Sequence, residues 1–231
     1  MKVINLGATN SIVSQYMSQL RDRNYQQNRI LFRQNLTRIG HVMAYEISRT
    51  LDYAPRTVET PLGSCDVQLP ADHIVVGTVL RAGLAFHQGF LDVFDGADSA
   101  FVAAYREEGG SVEETAGGSR HADVKIRLEY MAAPHLDGST FLLVDPMLAT
   151  GGSLDLAYKA FLGAGCPAKL HIGVVIAAQE GVERLKKAFP SDEVTLWTAA
   201  IDPELNADAY IVPGLGDAGD LSFGPKISNK E

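Results

Sequence analysis

The sequence has 231 residues, 46% hydrophobic and 21% charged, which suits one globular α/β core with a small hood. A net charge of −8 argues against general binding to nucleic acid or to a membrane surface, because both need a basic face. Cys65 and Cys166 stand far apart without metal-ligand spacing, and no apolar run is long enough to span a membrane or serve as a signal peptide, so the reading is cytoplasmic.

Residues 1–10 read as a short strand or arm. Ile12, Tyr16, Met17 and Leu20 suggest a first helix. Leu36, Ile39, Val42, Met43 and Ile47 form a 3.6-period stripe that predicts a second helix over about 27–51. Arg29 and Arg38 in that helix need no function beyond solvation. Three prolines and Gly63 punctuate residues 53–72, which read as a small hairpin or an excursion before the core.

A repeated unit follows. Strands are expected at 74–80, 100–105, 141–144, 170–178 and 194–201, with helices at 83–94, up to 162, and at 180–189. Such alternation predicts a mostly parallel five-stranded sheet flanked by helices. Residues 107–123 are rich in Gly, Glu and Ser and read as a mobile flap, with a strand-like stretch after it up to 131.

The strongest local signal is Phe141 to Ser153, reading FLLVDPMLATGGS. An apolar strand ends at Asp145 and Pro146, and a small-residue turn then opens a helix. Strand, turn and helix N-terminus together bind phosphate, because free N–H groups converge where the helix dipole favours an anion. The stretch lacks both the Lys of a Walker loop and the spacing of a dinucleotide fingerprint. Asp145, at the strand's carboxyl end, faces the crevice where open α/β sheets bind ligands. Further clusters fall at other element ends: Leu80-Arg81-Ala82-Gly83-Leu84, Tyr105-Arg106, and Tyr210 to Asp220, reading YIVPGLGDAGD. Each alone passes for surface charge or a turn. Together, at the ends of one sheet, they read as a site.

Those four segments, in that order, resemble the uracil phosphoribosyltransferase family of the type I phosphoribosyltransferase superfamily, and the similarity runs over most of residues 20–224. The resemblance implies the type I phosphoribosyltransferase fold with a small hood and a β flap. It implies a single domain, with arm and helices at 1–52, core at 74–201, flap at 107–131 and base-binding hood at 202–224. The implied reaction converts uracil and 5-phosphoribosyl 1-diphosphate to UMP and diphosphate, in pyrimidine salvage. Mg²⁺ is the implied cofactor, held mainly through the substrate and not by a protein cage. Arg81, Arg106, Asp145, Pro146, Met147, Leu148, Ala149, Thr150, Gly151, Gly152, Ser153 and Asp217 are implied at the ribosyl diphosphate. Main-chain groups of Ile211, Gly216 and Ala218, with Asp217, are implied at uracil. Asp217, Arg106 and Arg81 take the catalytic roles. The resemblance also allows activation by GTP.

Two departures stand out. The flap is more acidic and Gly-rich than in most of the family, and Leu221-Ser222-Phe223-Gly224-Pro225 replaces the usual basic residue and Phe-Gly-Thr. Competing readings are a nucleotide-binding regulator with weak or no catalysis, and a related transferase for another base. The apolar stripe of 36–51 and the arm at 1–10 suggest a homodimer or a higher even assembly.

Overall fold

Near-continuous runs of Val, Ile and Leu set the frame, because a parallel strand covered on both faces needs apolar side chains in both directions. The computed structural model describes residues 1–106, 126–191 and 193–226. In chain order it contains β1 (Lys2–Asn5), α1 (Ile12–Arg21), α2 (Arg29–Ser48), β2 (Tyr53–Thr60), β3 (Gly63–Pro70) and β4 (Ile74–Leu80). There follow α3 (Leu84–Leu91), β5 (Asp98–Arg106), β6 (Ile126–Ala132), β7 (Thr140–Leu148) and α4 (Gly152–Phe161). The chain closes with β8 (Lys169–Ala178), α5 (Gln179–Ala188), β9 (Val194–Asp202), β10 (Glu204–Leu205), β11 (Ile211–Val212) and α6 (Ala218–Phe223).

The main sheet has seven strands in the order β1-β9-β8-β7-β4-β5-β6. The five expected strands form its continuous centre, all parallel. The arm adds β1 as a parallel edge beside β9, and β6 adds an antiparallel edge beside β5. The sheet is therefore wider than expected by one strand on each side. Of the expected flap, residues 107–125 lie outside the described residues.

Helices cover both faces, and each face has its own core. One core joins α1, α2 and α3 to the sheet, with Phe32, Leu36, Ile39, Met43 and Ile47 fully buried. The other gathers Phe141, Leu143, Leu154, Phe161, Ile172 and Leu185 beneath α4 and α5. Burying each such side chain contributes about 1.5–3 kcal/mol. The stripe of α2 is thus consumed inside the chain, with only Val42 partly exposed. The stripe packs on the chain's own helices and sheet, so its apolar character does not in itself call for a second copy. Asn28 starts α2 with its side chain, accepting from the N–H groups of Ile30 and Leu31, which satisfies donors that a helix start leaves open.

Two features position the site. Sequence order along the sheet reverses between β4 and β7: the chain adds β5 on one side of β4, then crosses to place β7 on the other. Open α/β sheets hold their ligands at such a switch point, beyond the strands' carboxyl ends. In addition, β7 pairs with β4 only as far as Val144, but with β8 as far as Leu148. Asp145 to Leu148 therefore run on beside a gap. Pro146 was expected to end the strand; instead β7 passes through it. An edge is where a strand tolerates a residue without an N–H.

The hairpin expected in 53–72 is present as β2 and β3, paired antiparallel from Tyr53↔Pro70 to Thr60↔Gly63. Only Val58 and Val67 along its length are partly buried.

Candidate active site

Three walls converge on a cleft of about 780 Å³ at the switch point. The floor is the carboxyl end of β7 with the loop after it: Asp145, Met147, Leu148, Ala149, Thr150, Gly151 and Ser153 line it. The second wall is the turn after β4, Leu80-Arg81-Ala82. The third comes from the chain's end, through Ala209, Tyr210, Asp217, Ala218, Gly219 and Lys226.

The floor follows from local sequence. Gly151 sits at φ +82, a left-handed conformation that side chains resist and glycine accepts. That residue is the N-cap of α4 and, being glycine, supplies no capping side chain of its own. The first turn of α4 thus presents donors that lack a partner one turn back, where the helix dipole is positive. The Thr150 hydroxyl accepts from the Gly152 N–H at 3.5 Å and stands beside those donors.

Asp145 lies beneath, 8% exposed, with Oδ1 accepting from the Met147 N–H at 3.0 Å. Burial raises its carboxyl to about 7, the Met147 N–H bond pulling the other way. A carboxyl raised that far is more easily protonated than an ordinary aspartate, so a cation or donor bound beside it favours the ionised form.

The Arg81 turn is tightly packed. A Cβ on Gly83 would stand 1.9 Å from Thr78 Oγ1, so only glycine fits the step from β4 into α3. Thr78 Oγ1 in turn donates to the Val144 carbonyl at 2.8 Å, which ties the Arg81 turn to the strand carrying Asp145. The peptide bond between Leu80 and Arg81 is cis. Arg81 reaches α6, donating to Asp220 Oδ1 at 3.1 Å and to the Gly224 carbonyl at 3.4 Å.

Asp217 is the N-cap of α6: its Oδ1 accepts from the Asp220 N–H at 2.9 Å, while Oδ2 lies 4.0 Å from Lys226 Nζ. One oxygen orders the turn and the other faces a cation. Lys226 is a lining residue that sequence reading missed. Its signal was a cation shortly after the altered Phe223-Gly224-Pro225, at a position where the local pattern gave no reason to look. The short helix α6 is held to α2 by Arg33, which donates to the Ser222 carbonyl at 2.6 Å and lies 5.9 Å from the Phe223 ring centroid.

Not every expected residue reaches the cleft. Pro146 and Gly152 belong to the floor segment but do not line it, and neither Ile211 nor Gly216 is among the lining residues. Ile211 is buried at 4% exposure and pairs with Leu205. Arg106 ends β5 in register with Ile126, and its side chain lies outside the described part. The residues brought together are Arg81, Asp145, the 147–151 loop, Ser153, Asp217 and Ala218.

A glycine-started helix above a buried acid, at the switch point of a mostly parallel sheet and faced by an arginine, places the chain among α/β transferases of the type I phosphoribosyltransferase fold. The model of one family, uracil phosphoribosyltransferase, matches residues 8–225. The chain belongs to that family. A uracil phosphoribosyltransferase of Porphyromonas gingivalis is 45% identical over 98% of this chain and 100% of its own. One from Thermococcus gammatolerans is 36% identical over 94% of this chain and 91% of its own. Among solved structures, the AQ2163 protein from Aquifex aeolicus matches with a TM-score of 0.82 at 28% identity, covering 98% of this chain and 100% of that one.

Proposed function

We propose that the cleft transfers a phosphoribosyl group from 5-phosphoribosyl 1-diphosphate to N1 of uracil, giving UMP and diphosphate. The observation that carries this reading is the glycine-started α4 directly above buried Asp145. A phosphate on those N–H groups and Thr150 would set the ribose over Asp145, whose free lone pairs suit the sugar hydroxyls. The C1–O bond to diphosphate then breaks, the C1–N1 bond forms, and N1 loses its proton. Arg81 and Arg106 would receive the departing diphosphate, since guanidinium offers paired donors to phosphate oxygens. Asp217 would act at N1 or balance a cationic ribosyl centre. The main chain of Ile211 and of Gly216 to Ala218 would read the edge of uracil; Ile211 and Gly216 would need to be reached from the cleft that Tyr210 and Ala218 line.

Mg²⁺ fits as an ion carried in by the substrate. Among the described residues no group of three His, Cys, Asp or Glu side chains could hold a metal, and the floor supplies one buried carboxylate. When bound, the ion would neutralise diphosphate charge, with Asp145 as the protein group nearest the ribose.

The chain would work in the cytoplasm: Cys65 and Cys166 are both free and exposed, which suits a reducing compartment, and no helix among the described residues is long and apolar enough to cross a membrane. It would also pair with a second copy. An exposed two-stranded hairpin such as β2–β3 is marginal alone, and it carries Tyr53 and Leu69 at 45% and 38% exposure. Light scattering at micromolar concentration tests this, and a monomer contradicts it.

An ultraviolet assay for UMP with purified protein, Mg²⁺ and both substrates tests the function. Turnover supports it, and none with any base overturns it in favour of a nucleotide-binding regulator. Repeating the assay with GTP tests activation by that nucleotide.

A further inference from the structure

Behind the third wall, away from the cleft, Arg21 and Asp202 form a clamp. Arg21 is the last residue of α1, and Asp202 the last of β9. Arg21 Nη1 and Nη2 donate to the two oxygens of Asp202 at 2.7 and 2.6 Å, a bidentate pair. Both then hold one residue of the chain's final loop. Arg21 Nη1 donates to the Gly214 carbonyl at 3.0 Å, and Asp202 Oδ2 accepts from the Gly214 N–H at 2.8 Å. The next carbonyl, that of Leu215, accepts from Gln26 Nε2 at 3.2 Å.

Neither Arg21 nor Asp202 lines the cleft. Yet both polar backbone groups of Gly214 are held by them, two residues before Gly216 and three before Asp217. Gly214 itself has φ +62, and a Cβ there would lie 2.0 Å from the Ile211 carbonyl oxygen. The loop is therefore folded back on Ile211 at its start and clamped at Gly214. Asp202 is 5% exposed, a setting in which bidentate charge-assisted bonds are strong and a lost partner is costly. Burial alone would raise its carboxyl, but the bonds from Arg21 and Gly214 and the charge of Arg21 outweigh it and hold it below the usual range.

We propose that Arg21 and Asp202 are positioning residues for recognition of the base: by fixing Gly214 they preset the main chain of 216–218 that would read the uracil edge. This rests on the function proposed above. A main-chain reader gains affinity from being ordered beforehand, since a loop that must order on binding gives up part of its binding energy. Loosening the clamp should weaken the base and leave the ribosyl diphosphate largely alone, because the latter would sit on α4 and the Arg81 turn.

The experiment measures steady-state kinetics of Arg21→Met, Arg21→Lys and Asp202→Asn with both substrates varied. Arg21→Met should raise KM for uracil about tenfold or more, equivalent to one or two ordering penalties. KM for 5-phosphoribosyl 1-diphosphate should change less than about threefold, because uniform binding of a substrate that the loop does not touch is left in place. Arg21→Lys, which keeps the charge but not the fork, should fall between wild type and Arg21→Met. Should Arg21→Met fail to fold, the two milder variants decide by the same split. Equal rises in both KM values, or an unchanged KM for uracil in a folded variant, overturn the proposal. A wild type without turnover is a different result, because it removes the function on which the clamp depends.

Discussion

Arg81 and Asp220 are bonded to each other at 3.1 Å, although Arg81 also lines the cleft and is proposed to receive diphosphate. Their side chains are 40% and 38% exposed, so the pair contributes no more than about 1 kcal/mol to stability. Its arginine is therefore available to a better anion. Arg81→Ala should leave thermal unfolding within a few degrees of wild type and raise KM for 5-phosphoribosyl 1-diphosphate at least tenfold, roughly the worth of one charged hydrogen bond. A large fall in Tm with unchanged KM would make the pair a structural bond between the β4 turn and α6.

Asp217 caps α6 and is proposed to act at N1, two tasks that substitution can separate. Asp217→Asn keeps an oxygen to cap α6 and removes the charge. It should lower kcat about 10²-fold or more, the scale of a positioned acid–base group, with KM for uracil changing much less. Asp217→Ala also loses the cap and should cost about 1 kcal/mol more in stability. Thr150→Val is the control, weakening only the ribosyl diphosphate. Wild-type kcat in Asp217→Asn would leave Asp217 as a turn residue.

Much of this was readable in the sequence, and particular residues show where reading stopped. The central strands were legible because strands such as β8 are apolar on both faces, a pattern that surface elements do not share. The floor was legible because strand, turn and helix start are contiguous. Arg21 and Asp202 were not, being 181 residues apart; nothing in either local pattern names the other. The α2 stripe misled because periodicity shows that a face is buried and not what buries it. Pro146 misled because its place in a strand depends on where β4 stops pairing, which is a property of the neighbouring strand.

The buried Asp145 predicts a pH dependence of stability. Its carboxyl is raised from an ordinary 3.8 to about 7 in the folded chain. Between those values the folded form holds a proton that the unfolded chain has released, so its contribution to stability falls as pH rises through that window. Asp145→Asn removes the penalty. Relative to wild type, the variant should be more stable at about pH 8 than at about pH 5 when thermal unfolding is compared. An equal difference at both pH values contradicts the burial account.

His171 gives the opposite sign. It is 6% exposed, its Nδ1 accepts from Trp197 Nε1 at 3.1 Å, and burial, aided by the Lys169 charge, lowers its pKa to about 4. The unfolded chain takes up that proton first, so this residue's contribution is full above about 6.5 and is lost as pH falls toward 4. Trp197 is the only tryptophan in the chain, and its emission reports on the ring beside it. Emission should stay flat from about pH 8 to 5 and change only below that; a midpoint near 6.5, the ordinary histidine value, would contradict a neutral His171.

The central claim is that the cleft pairs a phosphate-holding helix start with a main-chain reader of uracil. A base panel tests it most directly. Purified protein with Mg²⁺ and 5-phosphoribosyl 1-diphosphate is offered uracil, cytosine, hypoxanthine and adenine in turn, and nucleotide formation is followed. The account predicts UMP from uracil and rates lower by about 10⁴-fold for cytosine, whose N3 and exocyclic amine would leave fixed buried groups unpaired, with hypoxanthine and adenine equally poor. Comparable turnover of another base, or none with uracil, would contradict it.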